Sequence, residues 1–540
     1  MRMDTLLLFI PFLLSLICSQ HFFFFLEAAT PVSEYPYPFM TADAEKAIAR
    51  TYDYIIIGGG TAGCPLATTL SQHYSVLVLE RGGSPYGNPD IEDASLWGKA
   101  LDETNKYTSI AQTFVSEDGV QLARARVLGG ATAINAMFYS RASLKYIRNM
   151  GWDKKLVNNS YEWVEKEIAF KPDKLSIWSS AFRDALLEAG VLPYNGYTVD
   201  HVEGTKISAS TFDNNGKRHT AADFFKHANP NNIVVLLNAT ASRIIFHSVS
   251  GKLKARGVEF MNSVDGQSYQ VFLNESSYYN EIILSAGSLG STQLLLLSGI
   301  GPYQHLAQLN IPLLVDLPLV GKGVQDNPRS TITLESPIPL NISSIQAVAI
   351  LNGSKIYIES SSSISMLNDS SIQYTGSIFE KLAFPLSRGE IKLQNIDPRD
   401  NPLVQYNYYS HPLDLNRCVE GVNVIDKLTK TTSIQHFAFH SNGTNTLHFI
   451  GEALPDTKKY DHEALAKFCR DTLNTMWHFH GGCQVDFVVD QRYLVKGVDG
   501  LRIVDGSTFK FSPGTNPQAT TMMLGRYIGI KILQERNTSA

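Results

Sequence analysis

The chain lacks a basic character, has few cysteines, and beyond its N-terminus has no long apolar run. Its formal net charge is -5 over 540 residues, so we expect no nucleic-acid partner, which a basic stripe would mark. The five cysteines include no Cys-x-x-Cys pair and the histidines show no zinc-like spacing, so we expect no metal site. No later segment reaches the roughly 20 apolar residues of a membrane span, and we expect no membrane partner.

Residues 1–29 have the pattern of a secretory signal peptide. An apolar core at 6–18 follows a positively charged start, and a second apolar stretch lies at 22–26. Cleavage is expected near Ser19 or near Ala29. A short membrane anchor is the alternative, but polar residues interrupt the apolar stretch, which disfavours a span.

Eight Asn-x-Ser/Thr sequons accompany this N-terminus. Together they predict a secreted, N-glycosylated protein of the extracellular space, cell wall or vacuole. Nothing in the pattern indicates assembly, and we expect a monomer. The sequons begin at Asn158, Asn238, Asn274, Asn341, Asn352, Asn368, Asn442 and Asn537.

A glycine-rich turn between an aliphatic strand and a helix indicates a dinucleotide site. Gly58, Gly60 and Gly63 have the spacing that gives a tight turn, room for a pyrophosphate and close helix packing. The phosphates would lie at the helix N-terminus. A second strand, 75–79, ends in Glu80, an acid placed to hold a ribose diol rather than a 2′-phosphate.

NAD and FAD share this fingerprint, so the choice between them rests on later segments. Residues 126–137 contain a second glycine turn that leads into a helix, with small residues where a bulky ring system could approach. Residues 285–301 follow another short strand, and on their own they equally fit a buried strand-turn-helix unit without a ligand.

Together these segments resemble the glucose–methanol–choline (GMC) oxidoreductase family, in particular its plant (R)-mandelonitrile lyase-like branch. The resemblance implies FAD as cofactor and an α/β fold: a Rossmann-type FAD-binding domain with a discontinuous α+β substrate-binding domain. It extends from about residue 50 to the C-terminus. It rests on 58–67, 79–82, 126–130, 210–213, 477–483 and 504–509.

The resemblance and the glycine motif also imply domain bounds and cofactor contacts. We expect the FAD-binding domain at 50–140, 239–335 and 470–540, and the substrate-binding domain at 141–238 and 336–469. The expected FAD contacts are Gly58, Gly60, Thr61, Ala62, Gly63, Glu80, Arg81, Val127, Asn135, Ala136, Met137, Phe138, Ala241, Trp477, His478, Gly506, Pro517 and Gln518.

The resemblance places His478 over the reactive face of the flavin and Asn516 at the second active-site position. For alcohol oxidation His478 would accept the hydroxyl proton. Asn516 would donate a hydrogen bond to the developing alkoxide, worth about 3 kcal/mol. Pro517 restricts Asn516 to an extended backbone. We therefore expect an FAD-dependent oxidoreductase acting on an alcohol.

Cleavage of a cyanohydrin by an (R)-hydroxynitrile lyase, with FAD in a structural role, is the alternative. Lyases of this type resemble the chain closely but use a second histidine, a tyrosine and a cysteine. Here those positions hold Asn516, Met476 and, in a loosely matching region, Glu359. We expect Met476, His480 and Glu359 near the substrate, with His480 in a supporting role. A flavin-binding protein without catalysis is a further alternative.

Cys18 is expected to leave with the signal peptide, and the spacing of the remaining four cysteines allows three pairings. The resemblance implies a disulfide between Cys418 and Cys469. It also implies that Cys64 and Cys483, which lie in nucleotide-site segments, stay as buried thiols.

Overall fold

The computed structural model describes most of the chain after the N-terminus. The described ranges are 35–102, 105–249, 251–367, 371–441, 443–455 and 462–539. The expected signal peptide at 1–29 and the sequons at Asn368 and Asn442 lie outside these residues.

A six-stranded parallel sheet, here called the nucleotide sheet, forms the base of the molecule. Its central strands are short aliphatic runs that are buried on both faces, as parallel strands between helices usually are. Ile57 lies opposite both Leu79 and Leu284, so these strands end at one edge. The strand order is Met40–Thr41, Ile233–Leu236, Val76–Leu79, Tyr54–Ile57, Glu281–Leu284 and Leu501–Ile503.

One strand of this sheet comes from a segment that the sequence analysis grouped with the substrate-facing part. Ile233–Leu236 pairs with Val76–Leu79 along its whole length, although 141–238 has no glycine turn. Its sequence is a buried aliphatic run like that of its neighbours, and hydrophobicity rather than a motif brings it into the sheet.

The helix that follows the first glycine turn, Gly63–Leu70, packs against the C-terminal helix Gln518–Ser539. Gly525 permits this close approach, because a Cβ at that position would lie 2.2 Å from the carbonyl oxygen of Ala62. Helix Lys154–Ile168 packs on the same C-terminal helix.

A second, eight-stranded sheet, here called the substrate sheet, faces the cavity. Its strand order is His448–Ile450, Pro328–Ser336, Ile372–Leu382, Ile356–Met366, Ala347–Leu351, Gly204–Ile207 and Tyr194–Tyr197, with Asn474–Thr475 also paired to Pro328–Ser336. Side chains alternate between its faces: Ile378 packs against the helices that cover the sheet, and Phe379 packs with Ile345 and Phe138 on the opposite face.

The covering helices are tied together covalently. Helices Ile177–Glu188, Pro412–Thr429 and His462–Asp471 lie on one face of the substrate sheet. Cys418 and Cys469 form a disulfide between the latter two helices, which is the pairing that the resemblance implied. Cys64 and Cys483 are buried free thiols, as expected.

The remaining elements connect and flank the two sheets, and none of the described helices is long and apolar enough to cross a bilayer. The other α-helices are Ala44–Ile48, Pro89–Glu92, Leu144–Asn149, Gly287–Leu297, Tyr303–Gln308 and Thr432–Gln435; 3-10 helices span Ala94–Leu96, Lys99–Leu101, Gly130–Ala133, Ala221–His227 and Gly506–Thr508. The other strands are Ala111–Val115, Gln121–Ala125, Phe138–Tyr139, Ala209–Ser210, Ala239–Val249, Lys252–Asn262, Ser268–Phe272, Ile300–Gly301, Val315–Asp316, Lys322–Val324, Gly389–Lys392, Leu403–Gln405, Phe439–Ser441, Thr444–Thr446 and Val498–Asp499.

Candidate functional site

A cavity of about 460 Å³ lies at the carboxyl edge of the nucleotide sheet and extends to the substrate sheet. Most of the residues expected from the sequence line it. They are Gly58, Gly60, Thr61, Ala62, Glu80, Arg81, Val127, Asn135, Ala136, Met137, Phe138, Ala241, Met476, Trp477, His478, Gly506, Asn516, Pro517 and Gln518. Gly63, Glu359 and His480 are not among the lining residues.

The glycine turns form a cradle at the cavity wall in which neighbouring backbone segments lie too close for side chains. Gly58 has φ +101°, and a Cβ there would lie 2.5 Å from the carbonyl oxygen of Ser285. Gly130, from the second glycine turn, faces the first, since its Cβ would lie 2.8 Å from the Cα of Gly60. The two turns therefore pack backbone against backbone at the cavity wall. They present backbone atoms rather than side chains to the cavity, which is what a dinucleotide pyrophosphate requires.

Gly63 serves the packing beneath this cradle. A Cβ at Gly63 would lie 2.0 Å from the carbonyl oxygen of Gly58, so the helix can approach the strand only because position 63 has no side chain. No side chain caps the N-terminus of this helix at Ala62. Its free N–H groups and dipole favour an anion at that end.

Glu80 directly follows the strand Val76–Leu79 and is buried. Its two carboxylate oxygens accept hydrogen bonds from the backbone N–H groups of Gly59 and Gly82 at 3.0 and 2.9 Å. Burial raises the pKa of Glu80, and these N–H groups oppose the rise. A carboxylate retains further lone pairs, so Glu80 can also accept from the hydroxyl groups of a ribose.

The segment after the second glycine turn is held against the C-terminal helix. Asn135 Nδ2 donates to Gln518 Oε1 at 2.9 Å, and Gln518 Nε2 donates to the carbonyl oxygen of Phe138 at 2.7 Å. Met137 between them has φ +59°. This left-handed conformation turns the backbone of 135–138 along the cavity wall.

The loop that carries His478 is held by one buried carboxylate, Asp326. Asp326 Oδ1 accepts from the backbone N–H of His478 at 2.8 Å, and Oδ2 accepts from Tyr408 Oη at 2.6 Å and from Thr475 Oγ1. Burial raises the pKa of Asp326 to about 6 despite these hydrogen bonds. Trp477, with φ +56°, makes the turn that brings His478 over the cavity.

The ring of His478 has a defined tautomer. Asn327 Nδ2 donates to the carbonyl oxygens of Leu382 and Ala383 at 2.6 and 3.0 Å, so its Oδ1 must be the atom that faces His478 Nδ1 at 3.2 Å. Because Oδ1 only accepts, Nδ1 carries the proton. Burial, Lys381, His480 and Arg329 hold the pKa of His478 well below its usual range, so the ring is neutral and Nε2 has a free lone pair.

Asn516 and Glu359 are connected through a third residue, Lys381. Lys381 Nζ donates to Glu359 Oε1 at 2.7 Å and to Asn516 Oδ1 at 2.6 Å. The side chains of Lys381 and Glu359 are fully buried, whereas Asn516 lines the cavity.

His480 lies behind the loop that carries His478. Its Nδ1 donates to the carbonyl oxygen of His478 at 2.8 Å, and burial lowers its pKa to about 4. Through this hydrogen bond the ring supports the loop that carries His478. Met476, by contrast, packs with Ile345, Phe379 and Phe138 on the apolar wall of the cavity.

Four residues that contact the candidate site residues or line the cavity were not identified in the sequence: Asp326, Asn327, Arg329 and Lys381. Asp326 and Asn327 directly precede Pro328, and this polar pair is typical of a turn. The sequence around Lys381 is typical of a solvent-exposed residue on a strand. Arg329 lines the cavity with its guanidinium over Phe379 at 5.1 Å. The polar run 325–327 before a strand was the one available signal; only tertiary contacts identify the others.

Comparison with known proteins places the chain among flavoenzymes. Two family models, both described as GMC oxidoreductase, match residues 52–329 and 385–525. An "(R)-mandelonitrile lyase-like" protein of Arabidopsis thaliana is 46% identical, covering 90% of each chain. A "Sinalpyl alcohol oxidase" of Nesocodon mauritianus is 45% identical over 90% of this chain and 89% of that one. "(R)-mandelonitrile lyase 3" of Prunus serotina is 41% identical over 95% and 91%.

The fold is also found among solved structures. A formate oxidase of Aspergillus oryzae superposes with a TM-score of 0.75 and 19% identity, covering 90% of this chain and 99% of that one. At this identity the likeness speaks for the fold alone. It confirms the predicted fold class of a Rossmann-type domain joined to a second, mixed domain.

Proposed function

The chain belongs to the GMC oxidoreductase family and binds FAD, and on that premise we propose that it oxidises an alcohol to a carbonyl compound. The single observation that supports this most is the state of His478. A neutral imidazole with its Nε2 lone pair free, at a cavity wall, is the form that a general base needs. When bound, FAD accepts the hydride that leaves the alcohol carbon.

The protein residues perform the proton transfer and the charge stabilisation. His478 Nε2 takes the hydroxyl proton, and the Nδ1 proton stays on the ring, held by Asn327 Oδ1. Asn516 Nδ2 donates to the oxygen as negative charge develops there, an interaction that strengthens toward the transition state. The products are the carbonyl compound and a protonated His478, whose proton returns to solvent.

The residues that line the cradle would hold FAD. The glycine turns at 58–60 and 129–130 would accommodate the pyrophosphate, the N-terminus of Gly63–Leu70 would favour its charge, and Glu80 would accept hydrogen bonds from the ribose. The walls near His478 favour an apolar substrate, because Phe138, Ile345, Phe379 and Met476 pack together there. An aromatic or long-chain primary alcohol suits this wall.

Cyanohydrin cleavage is the second candidate, because the chain is also similar to a mandelonitrile lyase over 95% of its length. A lyase at this site would need to stabilise leaving cyanide. Asn516 is a neutral amide and supplies no cationic imidazolium. His478 would still serve as the base, so the two candidates differ in the fate of the electrons and not in the proton acceptor.

The experiment that separates them is anaerobic mixing of the FAD-loaded protein with benzyl alcohol or a long-chain primary alcohol. Oxidation bleaches the flavin absorbance band, since two electrons must be taken up. Parallel mixing with mandelonitrile completes the test: benzaldehyde released without bleaching, together with no bleaching by any alcohol, would refute the proposal in favour of the lyase.

We also propose that the protein enters the secretory pathway and acts in the extracellular space, the cell wall or the vacuole. The proposal is supported by the N-terminal signal-like segment and by the sequons, whose six described asparagines are all at least partly exposed. Expression of the full chain in a eukaryotic secretory host tests it. A secreted product whose mobility changes after enzymatic deglycosylation is expected, and retention in the cytosol would contradict the proposal.

A further inference from the structure

Three buried side chains form a continuous hydrogen-bonded row behind the substrate end of the cavity. Glu359 Oε1 accepts from Lys381 Nζ at 2.7 Å, and Lys381 Nζ donates onward to Asn516 Oδ1 at 2.6 Å. Lys381 Nζ also lies 4.3 Å from the ring centre of Tyr357. Of these four residues only Asn516 lines the cavity.

The substrate sheet determines this arrangement. Lys381 lies two residues from Phe379 on the strand Ile372–Leu382, so both face the same side. Tyr357 pairs with Lys381 across the sheet, and Glu359 pairs with Phe379. The charged pair therefore lies on the cavity-facing side of the sheet, directly beneath the apolar wall.

Lys381 determines which way the Asn516 amide points. An ammonium group has three donors and no acceptor, so only Oδ1 of Asn516 can face it at 2.6 Å. The Nδ2 group must then point away from Lys381. Among the described residues Nδ2 has no hydrogen-bond partner, and Asn516 borders the cavity.

We propose that Lys381 is a positioning residue that fixes Asn516 as a hydrogen-bond donor to the substrate oxygen, with Glu359 as the counter-ion that holds Lys381 in place. This inference rests on the proposed function of the site. A free asparagine amide can present either its N–H₂ or its carbonyl oxygen to a ligand. A carbonyl oxygen turned toward a developing alkoxide would repel it, so the orientation decides whether Asn516 helps or hinders.

The counter-ion is needed because a lone buried ammonium is unstable. Burial lowers the pKa of Lys381, and the adjacent Glu359 carboxylate opposes this shift. Removing one member of a buried pair leaves an uncompensated charge, whereas replacing both by apolar residues of similar size is often tolerated. Glu359 thus affects the substrate only indirectly, because it holds Lys381, which in turn orients Asn516.

A double-mutant cycle tests the proposal. The rate constant of flavin reduction by benzyl alcohol is measured for wild type, Lys381→Met, Asn516→Ala and the combination. If Lys381 acts through Asn516, Lys381→Met alone should lower the rate about tenfold or more. The loss should not exceed the roughly 10²–10³-fold that removal of a whole oxyanion donor typically costs. Added to Asn516→Ala, it should change the rate by less than about twofold, because the two effects are not additive.

Equal losses in both backgrounds would overturn the proposal. The saturation behaviour adds a second criterion: the rate at saturating alcohol should fall while the half-saturating concentration changes little, because Asn516 acts mainly in the transition state. A loss confined to the half-saturating concentration would point to substrate binding instead.

Folding is controlled with two further variants. The double variant Lys381→Met with Glu359→Leu removes both charges. It should retain FAD and the wild-type melting temperature, and benzyl alcohol should still reduce its flavin more slowly than that of wild type. Lys206→Met is the matched control, because Lys206 is an equally buried lysine that donates to Ser140 and to two backbone carbonyls rather than to Asn516. Its effect on the rate should be the same in the wild-type background and in the Asn516→Ala background.

The test separates this inference from the proposed function. If wild type is not reduced by any alcohol, the proposed function fails, and the same cycle is then measured through binding of benzaldehyde, followed by the flavin absorbance. The carbonyl of benzaldehyde accepts the same hydrogen bond without turnover. Coupling between positions 381 and 516 in that binding would support the inference, and its absence would refute it.

Discussion

The side chain of Asn327 faces Nδ1 of His478 with its carbonyl oxygen, at 3.2 Å. Two backbone carbonyls occupy the amide protons of Asn327, so this oxygen cannot exchange places with the nitrogen. One buried amide therefore determines where the imidazole proton lies and which nitrogen is available as a base.

Replacing Asn327 by Leu should lower the rate of flavin reduction without loss of FAD. The ring of His478 would lose the acceptor that selects its tautomer. Partners that orient a metal-bound histidine are typically worth about 10- to 100-fold, and we expect a loss of the same order here. Stopped-flow reduction and flavin content measure the two effects. An unchanged rate would mean that the loop alone, through Asp326, orients the ring.

Replacing His478 by Ala should abolish alcohol oxidation and leave FAD bound. General-base catalysis is typically worth about 10²–10⁴-fold, and the nucleotide cradle lies on other segments. Absorbance of the purified variant and its reduction by benzyl alcohol are the measurements. If the variant loses its flavin, His478 is a structural residue and not the base.

The rate of reduction should stay level on acidification below the pKa of about 6.5 of an ordinary histidine. Burial together with Lys381, Arg329 and His480 lowers the pKa of His478. The base is active when unprotonated, so activity is lost only as the pH falls through this lowered value. Stopped-flow reduction between about pH 5 and 8 measures the profile, and a midpoint at or above 6.5 would contradict the prediction.

Asp326 is the control for that profile, because its pKa is about 6 and it contacts the backbone of His478 rather than the ring. A loss of activity near pH 6 that disappears in Asp326→Asn would be assigned to the loop. A loss that persists in this variant would be assigned to His478.

Replacing Gly63 by Ala should impair folding or FAD retention. Its Cβ would lie 2.0 Å from the carbonyl oxygen of Gly58, so the helix must move away from the strand that shapes the pyrophosphate site. Gly83→Ala is the matched control, because a Cβ at Gly83 meets no atom within 4 Å. The yield of soluble protein and the flavin-to-protein absorbance ratio compare them; equal retention in both would contradict the prediction.

Removing the disulfide with Cys418→Ala and Cys469→Ala should lower the free energy of unfolding by about 4 kcal/mol, the chain-entropy value for the 51-residue separation. The catalytic rate should not change, because both cysteines lie on the helix side of the substrate sheet. Thermal unfolding of the FAD-loaded protein measures the loss. Cys483→Ala, at a free buried thiol, is the control, and an equal loss there would assign the effect to packing.

The nucleotide site was predictable from the sequence because its parts are close together in the chain. The strand, the glycine turn, the helix and Glu80 lie within about thirty residues. Each glycine meets a local requirement, either a positive φ angle or a close approach of neighbouring backbone. Strands 54–57 and 76–79, which the glycine turn and one helix connect, are paired in the sheet. The strand Ile233–Leu236 has no motif, and only its pairing with Val76–Leu79 places it in the nucleotide sheet.

The states of the candidate catalytic side chains were decided only by the tertiary structure. His478 and Asn327 are 151 residues apart, and Asn516 and Lys381 are 135 residues apart. The sequence by itself determined the FAD site and the residue types at positions 478 and 516, which indicate a base and an amide donor. Tautomer, amide direction and pKa depend on which donors, acceptors and charges surround a group, and sheet register, not the nearby sequence, brings those groups together.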